Sequence, residues 1–425
     1  MINNFSELNK YLEQFVPGSI LKGDFYNPDR MLELLPLVGN PEKECKVIHV
    51  AGTSGKTSTC YYISELLRAH NTKVGLSVSP HVIQINERLQ INGVPLEERK
   101  MCELFNELVS IPGLVELKPT YFELLTTFSF WAFAKLECTH VVMEVGLGGL
   151  KDATNVVESE DKISVISDIG LDHTRILGDT VEKIAHQKVG IVQPFNNVFS
   201  YNQEESVMEI IREACKQNKA VLHNYSQENL EQYASFLPHL PLYQKRNWLL
   251  AKQVSDYVAE RDGLPKIGSD QLLQTQGVSI PGRMQMINVK DKIIVLDGAH
   301  NPQKLTAFCL SIRNEFPDAK IKALIAFSQA KQETLEKSVK LIAEITNNVI
   351  CTEFSVIAGL PHIPVSVSNL AQVAKKVGIK SVVLQSDPQK ACNLLIDDDD
   401  NVDIRIIVGS FYLIGTLFEK GVIEL

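Results

Sequence analysis

Residues Val47 to Ser64 read V-I-H-V-A-G-T-S-G-K-T-S-T-C-Y-Y-I-S, and the fold follows from how that stretch is parsed. Val47 to Val50 is a short apolar run suited to a buried strand. Gly52-Thr53-Ser54-Gly55-Lys56-Thr57-Ser58 comes next, and then Cys60, Ile63, Leu66 and Leu67 recur at the spacing of one helix face. Strand, glycine-bearing loop, lysine and helix together make a phosphate cradle. Glycines let backbone N–H groups converge on one point, and the helix N-terminus adds its partial positive charge. Lys56 brings a charge to the outer phosphates, and a hydroxyl at Thr57 or Ser58 can meet Mg²⁺. The longer G-x-x-x-x-G-K-S/T pattern is not met, because Val50 holds its first glycine position; the loop is the shorter G-T-x-G-K-T form.

Outward from this stretch, strands alternate with helices. Thr72 to Ser77 reads as a strand ending in Ser79-Pro80-His81, and Pro80 blocks a helix there. Asn92-Gly93 is a turn, and Leu96–Val109 and Thr120–Ala134 read as helices. Thr139 to Val145, T-H-V-V-M-E-V, is a buried strand with Glu144 near its end, followed by Gly146, Gly148 and Gly149. A carboxylate at a strand end beside a phosphate loop is where Mg²⁺ is usually held. Ile163 to Ile169 is another strand and leads to Gly170-Leu171-Asp172-His173. Val181 to Lys188 is helical, and Lys188-Val189-Gly190-Ile191 is expected to run into the next strand. Gly55, Ser79, Glu144 and His173 all fall just past strand ends, on the edge where a parallel sheet wrapped by helices holds its ligands.

The chain begins with a helix carrying Leu8, Tyr11, Leu12 and Phe15 on one face and ending at Pro17-Gly18; Met31–Leu35 is a second short helix. Residues 240 to 262 form a helix, and Ile280-Pro281-Gly282-Arg283 is a break. The expected division is an ATP-binding domain over 1–283 and a smaller doubly wound α/β domain over 284–425. The second opens with Ile293–Leu296 and Asp297-Gly298-Ala299-His300-Asn301-Pro302. Strands at Ile321–Phe327, Val349–Phe354, Ser381–Gln385 and Ile404–Val408 follow, with helices between them. It has no glycine fingerprint for a dinucleotide of its own.

Size and composition bound the function. At 425 residues the chain exceeds one ordinary core. Hydrophobic content of 44% and charged content of 22% fit a soluble globular protein, with no bilayer-length apolar run and no signal-peptide pattern, so a cytoplasmic enzyme is expected. The eight cysteines include no C-x-x-C pair, and Cys60 and Cys309 read as core residues. A net charge of −9 argues against a nucleic-acid surface. Asp397 to Asp400 reads as a solvated loop, since consecutive carboxylates do not converge on a metal.

Taken in order, H-V-A-G-T-S-G-K-T-S, S-P-H with I-N-E-R-L-Q-I-N-G, T-Y-F-E, E-V-G-L-G-G, D-A-T-N, G-L-D-H-T, L-G-D-T, K-V-G-I, P-G-R and D-G-A-H-N-P resemble the folylpolyglutamate synthase and dihydrofolate synthase family, within the Mur-ligase superfamily. The resemblance covers nearly the whole chain. It implies that ATP phosphorylates a carboxylate to an acyl phosphate, which the amine of L-glutamate attacks to form an amide. The implied substrate is a pterin or folate. By the same resemblance Gly52 to Ser58 bind the nucleotide phosphates; Ser79, Glu144 and His173 hold Mg²⁺; and Lys188 is carbamylated and helps hold a second metal. Lys56, Lys188 and His173 are thus the catalytic candidates. Asn247, Arg283, Asp297 and His300 match nucleotide contacts, with Asp297 on the ribose. Tyr121, Phe122, Glu123, Lys151, Asp152 and Ala153 match the pterin side. Closure of the two domains is expected to bring Arg283 and Asp297 onto ATP and exclude water from the acyl phosphate. A monomer with neither membrane nor nucleic-acid partners is expected.

Four positions depart from the family pattern. Ser54 stands where asparagine is usual, and Thr57 where glycine is usual, as in the cell-wall Mur ligases. G-G-R-L-D becomes Gly149-Leu150-Lys151-Asp152, without the arginine, and H-Q-x-x-N becomes Tyr243-Gln244-Lys245-Arg246-Asn247. Thr57 keeps open a Mur-type ligase acting on another carboxylate. The missing arginine keeps open a nucleotide-binding protein without catalysis.

Overall fold

The computed structural model describes residues 1–16, 28–226, 237, 240–355, 363–397 and 402–424. The helix end expected at Pro17-Gly18 and the acidic residues Asp398 to Asp400 lie outside the described residues. The chain divides into two compact units. Met1–Leu240 and Gln244–Val278 make the first; Pro241–Tyr243 and Ser279–Leu425 make the second. By compactness Arg283 therefore falls with Asp297, a few residues inside the second unit.

The first unit is built on a sheet of eight strands. They are β1 (Lys46–Ala51), β2 (Val74–Ser77), β3 (Gln90–Ile91), β4 (Val94–Pro95), β5 (His140–Glu144), β6 (Ile163–Ile166), β7 (Asn197–Tyr201) and β8 (Val221–Tyr225). Their order is β4-β3-β2-β5-β1-β6-β7-β8. From β2 through β8 every neighbour is parallel, while β3 and β4 add an antiparallel edge around the Asn92-Gly93 turn. The chain leaves β1 toward β2 on one side and reaches β6 on the other, so the loop after β1 opens at the point where strand order reverses, the usual ligand crevice of such sheets. β1 is buried at every residue after Lys46, which is why it reads as a continuous apolar run and not as an alternation.

Helices cover the sheet. Lys56–Ala69 buries Cys60, Ile63, Leu66 and Leu67, the face anticipated from spacing. Tyr121–Lys135 is apolar nearly all round and lies in the core, with Phe128 edge-on to Phe105 at 5.3 Å between centroids. The long helix Leu242–Asp262 is fastened at its last residue. Asp262 accepts from Lys46 Nζ (2.8 Å), His140 Nε2 (2.8 Å) and Arg261 (2.9 Å), at the amino ends of β1 and β5. Burial raises the Asp262 carboxyl, but these hydrogen bonds prevail and hold it well below the usual carboxylate range. No helix among the described residues is long and apolar enough to cross a membrane.

The second unit carries six strands in the order β13-β12-β11-β14-β10-β9. They are β9 (Gln285–Val289), β10 (Lys292–Asp297), β11 (Ile321–Ile325), β12 (Asn348–Cys351), β13 (Ser381–Leu384) and β14 (Ile404–Val408). Among its described strands β9 pairs with β10 antiparallel and the others pair parallel. Strict strand–helix alternation thus fails at the two-residue strands β3 and β4, too brief to carry a pattern of their own, and at β9, a five-residue edge strand that turns directly into β10. The expectation that Lys188 runs into a strand also fails. Turns from Ile191 N to Lys188 O and from Val192 N to Val189 O close the helix, and β7 begins only at Asn197.

Candidate active site

The loop between β1 and the helix Lys56–Ala69 is held from three sides within the first unit. Thr53 and Ser54 N–H both donate to Asp168 O, at 2.6 and 3.1 Å. Thr53 Oγ1 donates to Gly170 O at 3.0 Å, and Lys188 Nζ donates to Gly52 O at 2.7 Å. Gly55 has φ +84°, and a Cβ there would lie 2.5 Å from Asn247 Oδ1, so both backbone sign and space require glycine. The amides of Thr53 and Ser54 are therefore spent inside the protein. The backbone donors left without an intrahelical acceptor are those of the first helical turn after Gly55.

Glu144 closes the constellation. It ends β5 in register with Val50 of β1 and is 3% exposed, which makes its binding partners decisive. Thr57 Oγ1 donates to its Oε1 at 2.8 Å, and Ser79 N–H donates to its Oε2 at 3.0 Å. Thr57, after β1, and Ser79, after β2, thus meet the carboxylate that ends β5. A cavity opens beside it, lined by Ser79, Arg88, Phe122, Ser129, Glu144 and Thr154. The glycine turn after Glu144 is pinned by buried Asp152, which accepts from Leu147 N–H (2.7 Å), Thr154 N–H (3.0 Å) and Thr154 Oγ1 (2.6 Å). Burial raises the Asp152 carboxyl, against the pull of those bonds.

Of the remaining sequence candidates, Lys188 is buried on the helix Val181–Val189 and is not an exposed helix-end lysine. His173 opens the short helix Thr174–Leu177 in a left-handed conformation; its Nε2 lies 4.0 Å from Asp172 Oδ1. Its loop is tied to the phosphate loop through Gly170 and Thr53. Asn247 is buried and donates to Gln244 Oε1 at 3.1 Å. Glu123 has structural employment: it completes a capping box with Thr120 and pairs with Arg30 Nη1 at 2.7 Å. Tyr121 lies under Arg88, Phe122 lines the cavity, Ala153 is buried and Lys151 is exposed.

In the second unit Asp297 ends β10 with its carboxylate occupied. Oδ2 accepts from Tyr243 Oη and Met284 N–H, each at 2.9 Å, and Oδ1 from Ala299 N–H at 2.8 Å. Burial raises this carboxyl too. Phe411, just past β14, organises the turn that follows. A Cβ at Gly298 would lie 1.9 Å from its ring, the Arg283 guanidinium sits 4.1 Å from its centroid, and the His300 ring meets it edge-on at 6.0 Å.

Residues 50–239 match the model of the Mur ligase middle domain, and residues 282–420 that of the dihydrofolate synthetase C-terminal domain. The dihydrofolate synthetase of Saccharomyces cerevisiae is 30% identical over 414 residues, covering 91% of this chain and 96% of that protein. The chain belongs to the dihydrofolate synthase and folylpolyglutamate synthase family. A Bacillus subtilis member, a dihydrofolate synthase/folylpolyglutamate synthase, is 28% identical over 92% of this chain and 94% of its own length. The fold is that of solved members. E. coli FolC in complex with DHPP and ADP superposes with a TM-score of 0.82 at 22% identity, over 98% of this chain and 97% of that one. A Mycobacterium tuberculosis folylpolyglutamate synthase with ADP and AMPPCP gives 0.80 at 24%, over 97% and 98%.

Sequence reasoning missed three contributors to this family member's site. Asp168 was passed over because its backbone carbonyl, not its side chain, shapes the loop. Arg246 pairs with Asp168 at 3.3 Å and lies 4.1 Å from the Tyr201 ring centroid; it was quoted within Tyr243–Asn247 but given no role. Arg88, inside the quoted I-N-E-R-L-Q stretch, was likewise unassigned and lines the cavity beside Glu144. An arginine inside a quoted motif was the available signal in both cases.

Proposed function

We propose that this chain is an ATP-dependent ligase that joins L-glutamate to dihydropteroate, to a reduced folate, or to both. The observation that carries the reading is the convergence of Thr57, Ser79 and Glu144 beside the phosphate loop. In the first step a carboxylate oxygen of the pterin substrate attacks the γ-phosphorus and ADP leaves. In the second, the glutamate amine attacks the acyl carbon, an amide forms, and inorganic phosphate departs. Such chemistry needs positioning and charge neutralisation more than covalent help from the protein. Lys56 and the first-turn amides are suited to the phosphates. Arg283, Asp297 and His300 are carried as nucleotide contacts of the second unit, although Asp297 already accepts three hydrogen bonds.

The donor set beside Glu144 fits Mg²⁺: a carboxylate and the hydroxyls of Thr57 and Ser79 are hard oxygen donors, whereas the imidazole of His173 is not. When bound, Mg²⁺ would neutralise charge developing on the transferred phosphoryl group. Among the described residues no three His, Cys, Asp or Glu side chains form a metal cage. Carbamylation of Lys188 is compatible with its contact to Gly52, because a carbamate keeps one N–H to donate to that carbonyl.

Arg88 beside Glu144 offers a cation to an anionic substrate group. The test is phosphate release by the purified chain with ATP, Mg²⁺ and L-glutamate. Release should depend on dihydropteroate or a reduced folate. Turnover only with a nucleotide-sugar peptide would establish a Mur-type ligase instead, and ATP binding without turnover on any carboxylate would make the chain a binder.

A further inference from the structure

The stretches S-P-H and I-N-E-R fold onto each other in the loop after β2. Glu87 is the clamp. Its carboxylate accepts from the N–H groups of Val82 (2.8 Å), Ile83 (2.6 Å) and Gln84 (2.7 Å). The next residue, Arg88, donates from Nε to His81 Nδ1 at 2.8 Å, and its guanidinium lies 5.5 Å from the Tyr121 ring centroid. A guanidinium only donates, so Nδ1 presents its lone pair and the His81 ring proton sits on Nε2. Nε and one face of the guanidinium are thus committed. The two terminal nitrogens have no protein partner among the described residues, and Arg88 lines the cavity beside Glu144.

We propose that His81 is a positioning residue for Arg88: by taking up Nε it leaves the arginine its end-on pair of Nη groups, a fork for one carboxylate of the substrates. An arginine meets a carboxylate in two parallel hydrogen bonds, either side-on through Nε and one Nη or end-on through both Nη groups. The bond to His81 closes the side-on mode. The end-on mode needs a planar fork, which a lysine does not offer. His81, the Tyr121 ring and the Glu87 clamp fix the side chain before a ligand arrives, so little of its rotamer freedom is left to lose on binding. Lys56 and the first-turn amides are suited to the phosphates, which leaves the fork to the carboxylate of the pterin acid or to one of L-glutamate. That assignment rests on the ligase reading above; the hold of His81 on Arg88 does not.

The experiment has two readouts on the full-length protein. In nitrogen-15 NMR the Arg88 Nε–H signal, assigned from its loss in Arg88→Lys, should exchange slowly with solvent in wild type and fast in His81→Leu. It should be slow again in His81→Asn, whose Oδ1 replaces the Nδ1 lone pair. In steady-state assays His81→Leu should raise KM about tenfold for one carboxylate substrate, and His81→Asn should bring it back to within about threefold of wild type. KM for ATP and the Mg²⁺ requirement should not move, whereas a general loss of the loop beside Ser79 would shift both. A rise confined to the pterin acid puts the fork on that carboxylate, and a rise confined to L-glutamate puts it on the amino acid. The double variant His81→Leu/Arg88→Met should have the same KM for that substrate as Arg88→Met, because His81 acts only through Arg88. A further loss in the double variant, an unchanged KM for both carboxylates in His81→Leu, or fast Nε–H exchange in wild type overturns the proposal. If no pterin substrate is turned over, the ligase reading fails, and the exchange rates still decide the role of His81. If His81→Leu fails to fold, His81→Gln, which moves the acceptor out to the Nε2 position, takes its place in both readouts.

Discussion

Thr57 Oγ1 donates a 2.8 Å hydrogen bond to Glu144 Oε1, and this contact joins the phosphate loop of β1 to the end of the adjacent strand β5. The other oxygen takes the Ser79 N–H, so one buried carboxylate at the end of β5 ties together groups that follow β1 and β2. Thr57, an unusual residue for its place in the family pattern, thereby gains a defined task.

Glu144→Gln removes the charge while keeping the shape. One side of the new amide must place its NH₂ against either the Thr57 hydroxyl, which can turn, or the Ser79 N–H, which cannot. A buried donor facing a donor costs about 1–3 kcal/mol. The expected result is a kcat at least ~100-fold lower with a melting temperature lower by only a few degrees. Steady-state phosphate release and thermal unfolding measure the two; near-normal turnover would remove Glu144 from the site.

Lys188→Ala should also suppress turnover, but for a reason that can be separated from structure. Truncation loses the bond to Gly52 O and leaves a void, which lowers stability. If Lys188 acts as a carbamate, added short carboxylates should restore part of the activity without restoring the melting temperature. Full activity in the variant would eliminate the carbamate role.

How much of this was legible beforehand follows from the kind of signal each residue leaves. The β1–loop–helix unit could be read because burial on both faces, a glycine with forced backbone, and a helical apolar face each impose a residue pattern. Glu144 and Ser79 could be read because strand ends are where side chains reach the crevice. Lys188 could be placed on its helix, but its burial against Gly52 O is a tertiary fact that no spacing records. Asp168 acts through its carbonyl, which every residue possesses, and so left no mark. Glu123 shows the reverse: Thr120 and Glu123 of T-Y-F-E form a capping box, so helix initiation by itself leaves the same residues at these two positions.

Lys162 offers a test of buried charge away from the site. It is 1% exposed, its Nζ has no hydrogen-bond partner among the described residues, and burial pushes its amine down to about 7, with Glu158 pulling weakly the other way. The unfolded chain holds this proton up to about pH 10.4, so between about 7 and 10 the unfolded state binds more protons and stability rises with pH. Below that window the penalty is fully present. Lys162→Met should stabilise the protein at neutral pH, on the order of a few kcal/mol, and flatten this rise. Denaturant unfolding from pH 6.5 to 10 measures both; an unchanged slope would show the amine to be solvated in the fold.

Gly55→Ala separates two demands placed on one residue. Its φ of +84° costs an L-residue about 1–2 kcal/mol, and the added methyl would sit 2.5 Å from Asn247 Oδ1. Relief costs either the Asn247 amide its bond to Gln244 or the loop its place, and the second carries the first-turn amides away from where phosphate would sit. Nucleotide affinity should fall at least ~10-fold, because several backbone donors move together. Adding Asn247→Ser should recover the portion of stability lost to the clash but not the portion due to backbone strain, leaving the double variant between Gly55→Ala and wild type in urea titrations. ATP binding by Gly55→Ala at wild-type affinity, measured by calorimetry, would mean that the phosphates do not rest on this turn.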